Sequence, residues 1–179
     1  MLQKSNMQRV AAVFFNCPTK HFGLLEISRK LKLAHTSTKQ HLEKLVKQGI
    51  ITKTSEKKGT RKYPLYQADV NSKQYWRAKK IHNLQAIIDS GIVEFLEQKL
   101  MPKTIVLFGS YQKGEDTEES DIDVYVQCTP EELTLQPFKK KFERKIQLHF
   151  NPDFSSYPKE LKNSIINGIV LYGYLEAFP

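Results

Sequence analysis

Apolar positions in the first fifty residues recur at helical spacing, and then the period shortens. Residues 8–17 carry Val10, Ala11, Ala12, Val13, Phe14 and Phe15 and stop at Pro18, which predicts a mostly buried helix. Residues 22–33 predict a second, with Leu24, Leu25, Ile27, Leu31 and Leu33 inward and Arg29, Lys30 and Lys32 outward. A third follows through HTSTKQHLEKLVKQG, with Leu42, Leu45 and Val46 as its core stripe. Thr36 or Ser37 is its expected N-cap, Ser37 with Gln40 an expected capping box, and Gly49 an expected C-terminal stop. Residues 50–54 and 63–66 then read as short strands joined by the charged segment SEKKGTRK, and Pro64 suits an edge strand.

The second half has a different texture. Residues 68–80 show little apolar period before Tyr75 and Trp76, which are candidates to pack between domains. A helix is expected through IHNLQAIIDSG and another through IVEFLEQKL, ending before Pro102. Thr104 to Phe108 is an apolar strand, Ser120 to Val126 a second, Lys145 to Phe150 a third, and ELKNSIINGIVLYG a closing helix and strand. The expected class is α+β: a winged helix-turn-helix domain over 1–68, a connecting helix or linker over 69–91, and an α/β domain with a mixed sheet over 92–179.

Charge changes the picture most. Residues 1–83 hold 18 Lys and Arg against 4 Asp and Glu, a net of +14, whereas residues 84–179 hold 10 against 15, a net of −5. So strong an asymmetry predicts that the first half meets a polyanion. Of 179 residues 40% are hydrophobic and 26% charged, an ordinary globular composition. No apolar run is long enough to span a bilayer, and MLQKSNMQRV has no secretory signal core. Cys17 and Cys128 fall one in each half, which argues against a disulfide framework and fits a reducing, cytoplasmic address.

Helix, helix, helix and hairpin in this order is the winged helix-turn-helix plan. Residues 21–67 resemble the MarR/ArsR-type winged helix, the likeness being carried by KQHLEKLVKQGII. Such a fold puts the N-terminal polar side chains of its recognition helix into the major groove while basic residues hold phosphates. The expected DNA-binding residues are therefore Thr36, Ser37, Lys39, Gln40 and Lys44 on that helix, with Lys57, Lys58, Arg61 and Lys62 in the wing. A homodimer is expected on the same grounds, to match palindromic sites.

The candidate chemistry lies in KTIVLFGSYQKGEDTEESDIDVYV. Strand period puts Asp121 and Asp123 on one face, with Ile122, Val124 and Val126 on the other. Adjacent carboxylates repel, and a divalent cation is the usual compensation. Gly109 permits close backbone approach, and Ser110 with the helix start after it offers donors to phosphate oxygens.

Gly109-Ser110, ten residues, then Asp121-x-Asp123, with strands before and after, resembles the polymerase-beta-type nucleotidyltransferase superfamily, in particular its minimal members. The resemblance implies that Gly109 and Ser110 bind a nucleoside triphosphate and that Asp121 and Asp123 are catalytic residues coordinating Mg²⁺. It also implies a third carboxylate on the 145–150 strand, where this chain has Gln147, an amide that cannot act as a base. Asp153 and His149 are the substitutes within reach. Glu115, Asp116, Glu118 and Glu119 read as a solvated loop.

Two functions follow. One is transfer of a nucleoside monophosphate from a nucleoside triphosphate to a hydroxyl acceptor, a protein acceptor or toxin–antitoxin partner being what the family analogy implies. The other is a transcriptional regulator whose second domain only binds nucleotide or a partner, because Gln147 replaces the third acid. A third reading is a winged helix that docks a protein partner, with neither DNA nor catalysis involved.

Overall fold

The first helix opens on a reciprocal cap. Ser5 Oγ accepts from the Gln8 amide at 3.3 Å, and Gln8 Oε1 accepts from the Ser5 amide at 2.8 Å. This is α1, Asn6–Asn16, and it ends just before Pro18, where the chain can no longer continue the ladder. The computed structural model describes residues 4–58 and 60–176, without the side chains of Lys58 and Arg61.

After α1 come β1 (Phe22–Gly23), α2 (Leu24–Leu31), α3 (His35–Lys47), β2 (Ile51–Lys58) and β3 (Arg61–Ala68). The three strands pair antiparallel in the order β1-β3-β2. This is a winged helix-turn-helix, as the hydrophobic pattern predicts. Its core gathers Val10, Phe14, Ile27, Leu42, Ile51, Tyr66 and Tyr75, all at 2% exposure or less.

Two local expectations are corrected. Neither Thr36 nor Ser37 caps α3, which starts earlier, at His35, with Ala34 at the cap and no side-chain cap bond. The Ala34 carbonyl takes both the Thr38 amide at 2.9 Å and Thr38 Oγ1 at 3.0 Å, so a backbone oxygen organises the first turn. Ser37 does not box with Gln40; its hydroxyl meets His41 Nε2 at 3.3 Å. Pro64 sits on the central strand rather than an edge, but it pairs only with Ser55, because β1 is two residues long and reaches only Leu65 and Tyr66. A missing amide is tolerated there.

The chain divides into two compact units, Met1–His82 and Asn83–Pro179. Helix α4, Lys73–Ser90, starts well before residue 81, its first turn bonded through Ser72 Oγ to the Tyr75 amide at 3.4 Å. Tyr75 and Trp76 belong to the first unit's core.

The second unit continues with α5 (Ile92–Leu100), β4 (Thr104–Phe108), α6 (Gly109–Lys113), β5 (Ile122–Val126), α7 (Gln136–Phe142), β6 (Ile146–Phe150), α8 (Lys159–Ile166) and β7 (Ile169–Gly173). Its sheet runs β6-β5-β4-β7, with β5 and β6 parallel and the other pairs antiparallel, the mixed sheet expected. Alternation splits the strands cleanly. Ile105, Leu107, Ile122, Val124 and Val126 enter a core with α5's Ile92 and Leu96, while Val106, Phe108 and Tyr125 face Phe154 and α8's Ile165. Asp123 lies on that second face by strand period, beyond the apolar cover.

Candidate functional site

The site forms where β4 ends and β5 and β6 begin. Phe108, the last residue of β4, pairs with Asp123 of β5, and Asp123 pairs in turn with Gln147 of β6. Gly109 then turns the chain with φ +76, a conformation that side-chain-bearing residues rarely adopt, and starts α6. A Cβ built on Gly109 would lie 2.5 Å from Asp123 Oδ2. Only a bare Cα leaves room for that carboxylate.

Each aspartate has a basic neighbour. Asp123 Oδ1 lies 3.1 Å from His149 Nε2, with the two side chains 25% and 20% exposed. The imidazole also packs edge-on against Phe108, at 5.0 Å between ring centres. Asp121 Oδ2 meets Lys145 Nζ at 3.5 Å, a pair exposed enough to add little stability. Ser110 is half-buried within α6, and Gln147 is exposed. Asp153 is engaged elsewhere: its Oδ1 accepts from the Ser155 amide at 2.9 Å and from Ser155 Oγ at 2.7 Å, capping the turn Phe154–Ser156. Of the two substitutes for the third acid, only His149 stands at Asp123.

Among the described residues no three His, Cys, Asp or Glu side chains gather at metal-binding distance. Two carboxylates still suit Mg²⁺, which keeps several waters and completes its octahedron with substrate phosphates. The bare Gly109 Cα lets the Asp123 carboxylate lie against the turn where β4 ends, next to the start of α6.

One acidic residue corrects the solvated-loop expectation. Asp116 is 2% exposed and pairs with Arg144 at 3.0 Å, while Asn83 Nδ2 donates to Asp116 Oδ1 at 2.7 Å and to the Tyr111 carbonyl at 2.8 Å. Arg144 covers the Tyr111 ring and donates to the carbonyls of Thr117 and Ser120. Burial, and next the Asp116 charge, push the Tyr111 hydroxyl far above the usual phenol range. Neither Arg144 nor Asn83 carries a motif, so sequence reading passes over both. Arg144 lies two residues before β6, the strand bearing Gln147.

On the first unit, Thr36, Lys39, Gln40 and Lys44 are exposed along α3 and Ser37 is half-buried. Lys57 and Lys62 are exposed and directly opposed across the hairpin. Like charges so placed repel, and a polyanion would relieve them. The side chains of Lys58 and Arg61 lie outside the described residues, although their backbones pair. Among the described residues no helix is long and apolar enough to cross a membrane.

Residues 90–176, just under half of the chain, match the family described as Polymerase beta, Nucleotidyltransferase. The second unit is therefore a polymerase-beta-type nucleotidyltransferase domain. A 34-residue stretch is 56% identical to MJ1379 of Methanocaldococcus jannaschii, named as a candidate protein adenylyltransferase; it spans 19% of this chain and 34% of that protein. Solved structures similar to the chain include a candidate transcriptional regulator from Methanosarcina mazei Go1 (TM-score 0.38, 20% identity, 54% of this chain and 80% of that one). Another is the adhesin competence repressor AdcR of Streptococcus pyogenes (TM-score 0.40, 13% identity, 54% of this chain and 68% of that one). The winged-helix plan here stands on the chain's own strand order and register.

Proposed function

We propose that this protein binds DNA through its winged helix and transfers a nucleoside monophosphate from a nucleoside triphosphate to a hydroxyl, forming a phosphodiester-type bond as the α–β anhydride breaks and pyrophosphate leaves. The observation that carries the reading is the bare Gly109 Cα against the Asp123 carboxylate at the end of β4. In it, Asp121 and Asp123 hold Mg²⁺, and Ser110 with the backbone beside Gly109 donates to the triphosphate. When bound, the ion supplies charge neutralisation for in-line displacement at phosphorus. His149 donates from Nε2 to Asp123 Oδ1 and so keeps that carboxylate oriented. The likeness to MJ1379 supports ATP as donor and a protein side chain as acceptor. DNA binding is supported by the net +14 of residues 1–83 and by the exposed Lys39, Lys44, Lys57 and Lys62.

A second reading is favoured by Gln147, which stands in register with Asp123 where the family resemblance implies an acid. In it the second unit senses nucleotide and the winged helix reads an operator. Titration with the four ribonucleoside triphosphates, with and without Mg²⁺, followed by a labelled-nucleotide transfer assay on cell extract, separates the two. The enzyme reading expects Mg²⁺-dependent binding and label on an acceptor, both abolished in Asp121→Asn. Binding without transfer would leave the regulator.

A further inference from the structure

Arg144 reaches three things at once. Its guanidinium pairs with Asp116 at 3.0 Å, lies over the Tyr111 ring at 5.7 Å, and donates to the carbonyls of Thr117 and Ser120, the latter at 3.3 Å. Its side chain is 6% exposed and that of Asp116 is fully covered. Removing either partner would leave an uncompensated buried charge. The far side of Asp116 is held by Asn83 of α4, which also holds the Tyr111 carbonyl of α6.

These contacts converge on one segment. Residues 115–121 connect α6, which follows Gly109-Ser110, to β5, which carries Asp123, and they form no helix or strand. Such a segment would sample many conformations unless tied down. The Thr117 amide bonds Ser120 Oγ at 2.9 Å, and Arg144 takes the carbonyls at both ends of that turn. Asp121 follows Ser120 directly and lies outside the strand, so β-pairing does not fix its backbone.

We infer that Arg144 is a positioning residue for nucleotidyl transfer: clamped to buried Asp116, its guanidinium fixes the Thr117–Ser120 turn and thereby the place of Asp121 relative to Gly109-Ser110. The planar fork matters as much as the charge. A guanidinium can serve a carboxylate and two carbonyls in fixed directions, whereas an ammonium is a point charge. The inference rests on reading Asp121 as a metal-holding residue.

The test uses the full chain as wild type, Arg144→Lys and Arg144→Gln. Urea unfolding gives stability, calorimetry gives ATP affinity with Mg²⁺, and hydrogen–deuterium exchange follows the amides of residues 117–121 against those of β4. In Arg144→Lys the charge pair with Asp116 survives, and stability is expected to recover relative to Arg144→Gln. Mg²⁺-dependent ATP affinity is nonetheless expected to fall about tenfold in both, the usual cost of losing a group that orients a metal ligand. Exchange should quicken at 117–121 and stay slow in β4. ATP affinity that merely follows stability, with Arg144→Lys binding as wild type does, would overturn the inference. Should wild type bind no ATP, the metal reading of Asp121 fails separately, and the exchange data still judge the clamp: unchanged exchange at 117–121 in Arg144→Lys overturns it. If Arg144→Gln does not fold, Arg144→Lys alone decides.

Discussion

His149 Nε2 stands 3.1 Å from Asp123 Oδ1, although the strand register pairs Asp123 with Gln147 and His149 with Tyr125. The imidazole thus reaches back along β6 by two residues on the same strand face, to the carboxylate that stands in register with Gln147. In His149→Ala the carboxylate loses this donor. Mg²⁺-dependent ATP affinity is expected to drop about tenfold, with the circular dichroism spectrum unchanged. Calorimetry at fixed Mg²⁺ checks it, and equal affinities would reduce the pair to a packing contact.

Gly109→Ala meets two obstacles, the left-handed backbone at φ +76 and Asp123 Oδ2 at 2.5 Å from the new Cβ. The backbone alone should cost about 1–2 kcal/mol in urea unfolding. Displacing the carboxylate should remove nucleotide binding even in the fraction that remains folded. A variant that binds ATP normally would show that Asp123 has no part in the site.

Lys57 and Lys62 face each other across the wing hairpin. Changing both to Ala should leave stability unchanged or slightly raised, because a repulsion is removed. If each holds one phosphate, the slope of log affinity for duplex DNA against log salt should shrink by about two. Fluorescence anisotropy across a salt series measures it. An unaltered slope would remove the wing from the interface.

His82 is half-buried against Phe15, with Nε2 donating to Asn16 Oδ1 at 3.2 Å. Burial first, then Lys4 and Lys79, lowers its pKa from 6.5 to about 4. The unfolded chain therefore takes up a proton between these values while the folded chain resists. The stabilisation is complete above pH 6.5 and is lost as pH falls towards 4, by about 3 kcal/mol. Denaturant midpoints at pH 7 and pH 4.5 should differ by less in His82→Gln than in wild type.

How much of this was legible in the sequence depended on the range of the interaction. Period and breakers located the three helices and hairpin of the first unit, since α1 to β3 are set by local apolar spacing. The Gly109-Ser110 and Asp121-x-Asp123 pattern was legible because its partners are covalently close and flanked by strands. Asp116 was misread because its surroundings, Glu115, Glu118 and Glu119, are all acidic and solvent-facing by composition. Its burial depends on Arg144 and Asn83, 28 and 33 positions away, and no periodicity announces such a pairing. Helix α7 escaped notice because the run Lys139–Lys141 interrupts its apolar positions, Phe138 and Phe142.

The strand order β6-β5-β4-β7 also sets a timetable for biosynthesis. A ribosome releases the winged helix whole before any strand of the second sheet exists, and domains fold largely in that order. Asp121 and Asp123 emerge next, ahead of β6, which brings His149, and of β7, which flanks β4. For that interval the nascent chain carries a finished winged helix joined to an unassembled nucleotidyltransferase fold. A polysome making this protein would display the first fold some hundred residues before the second.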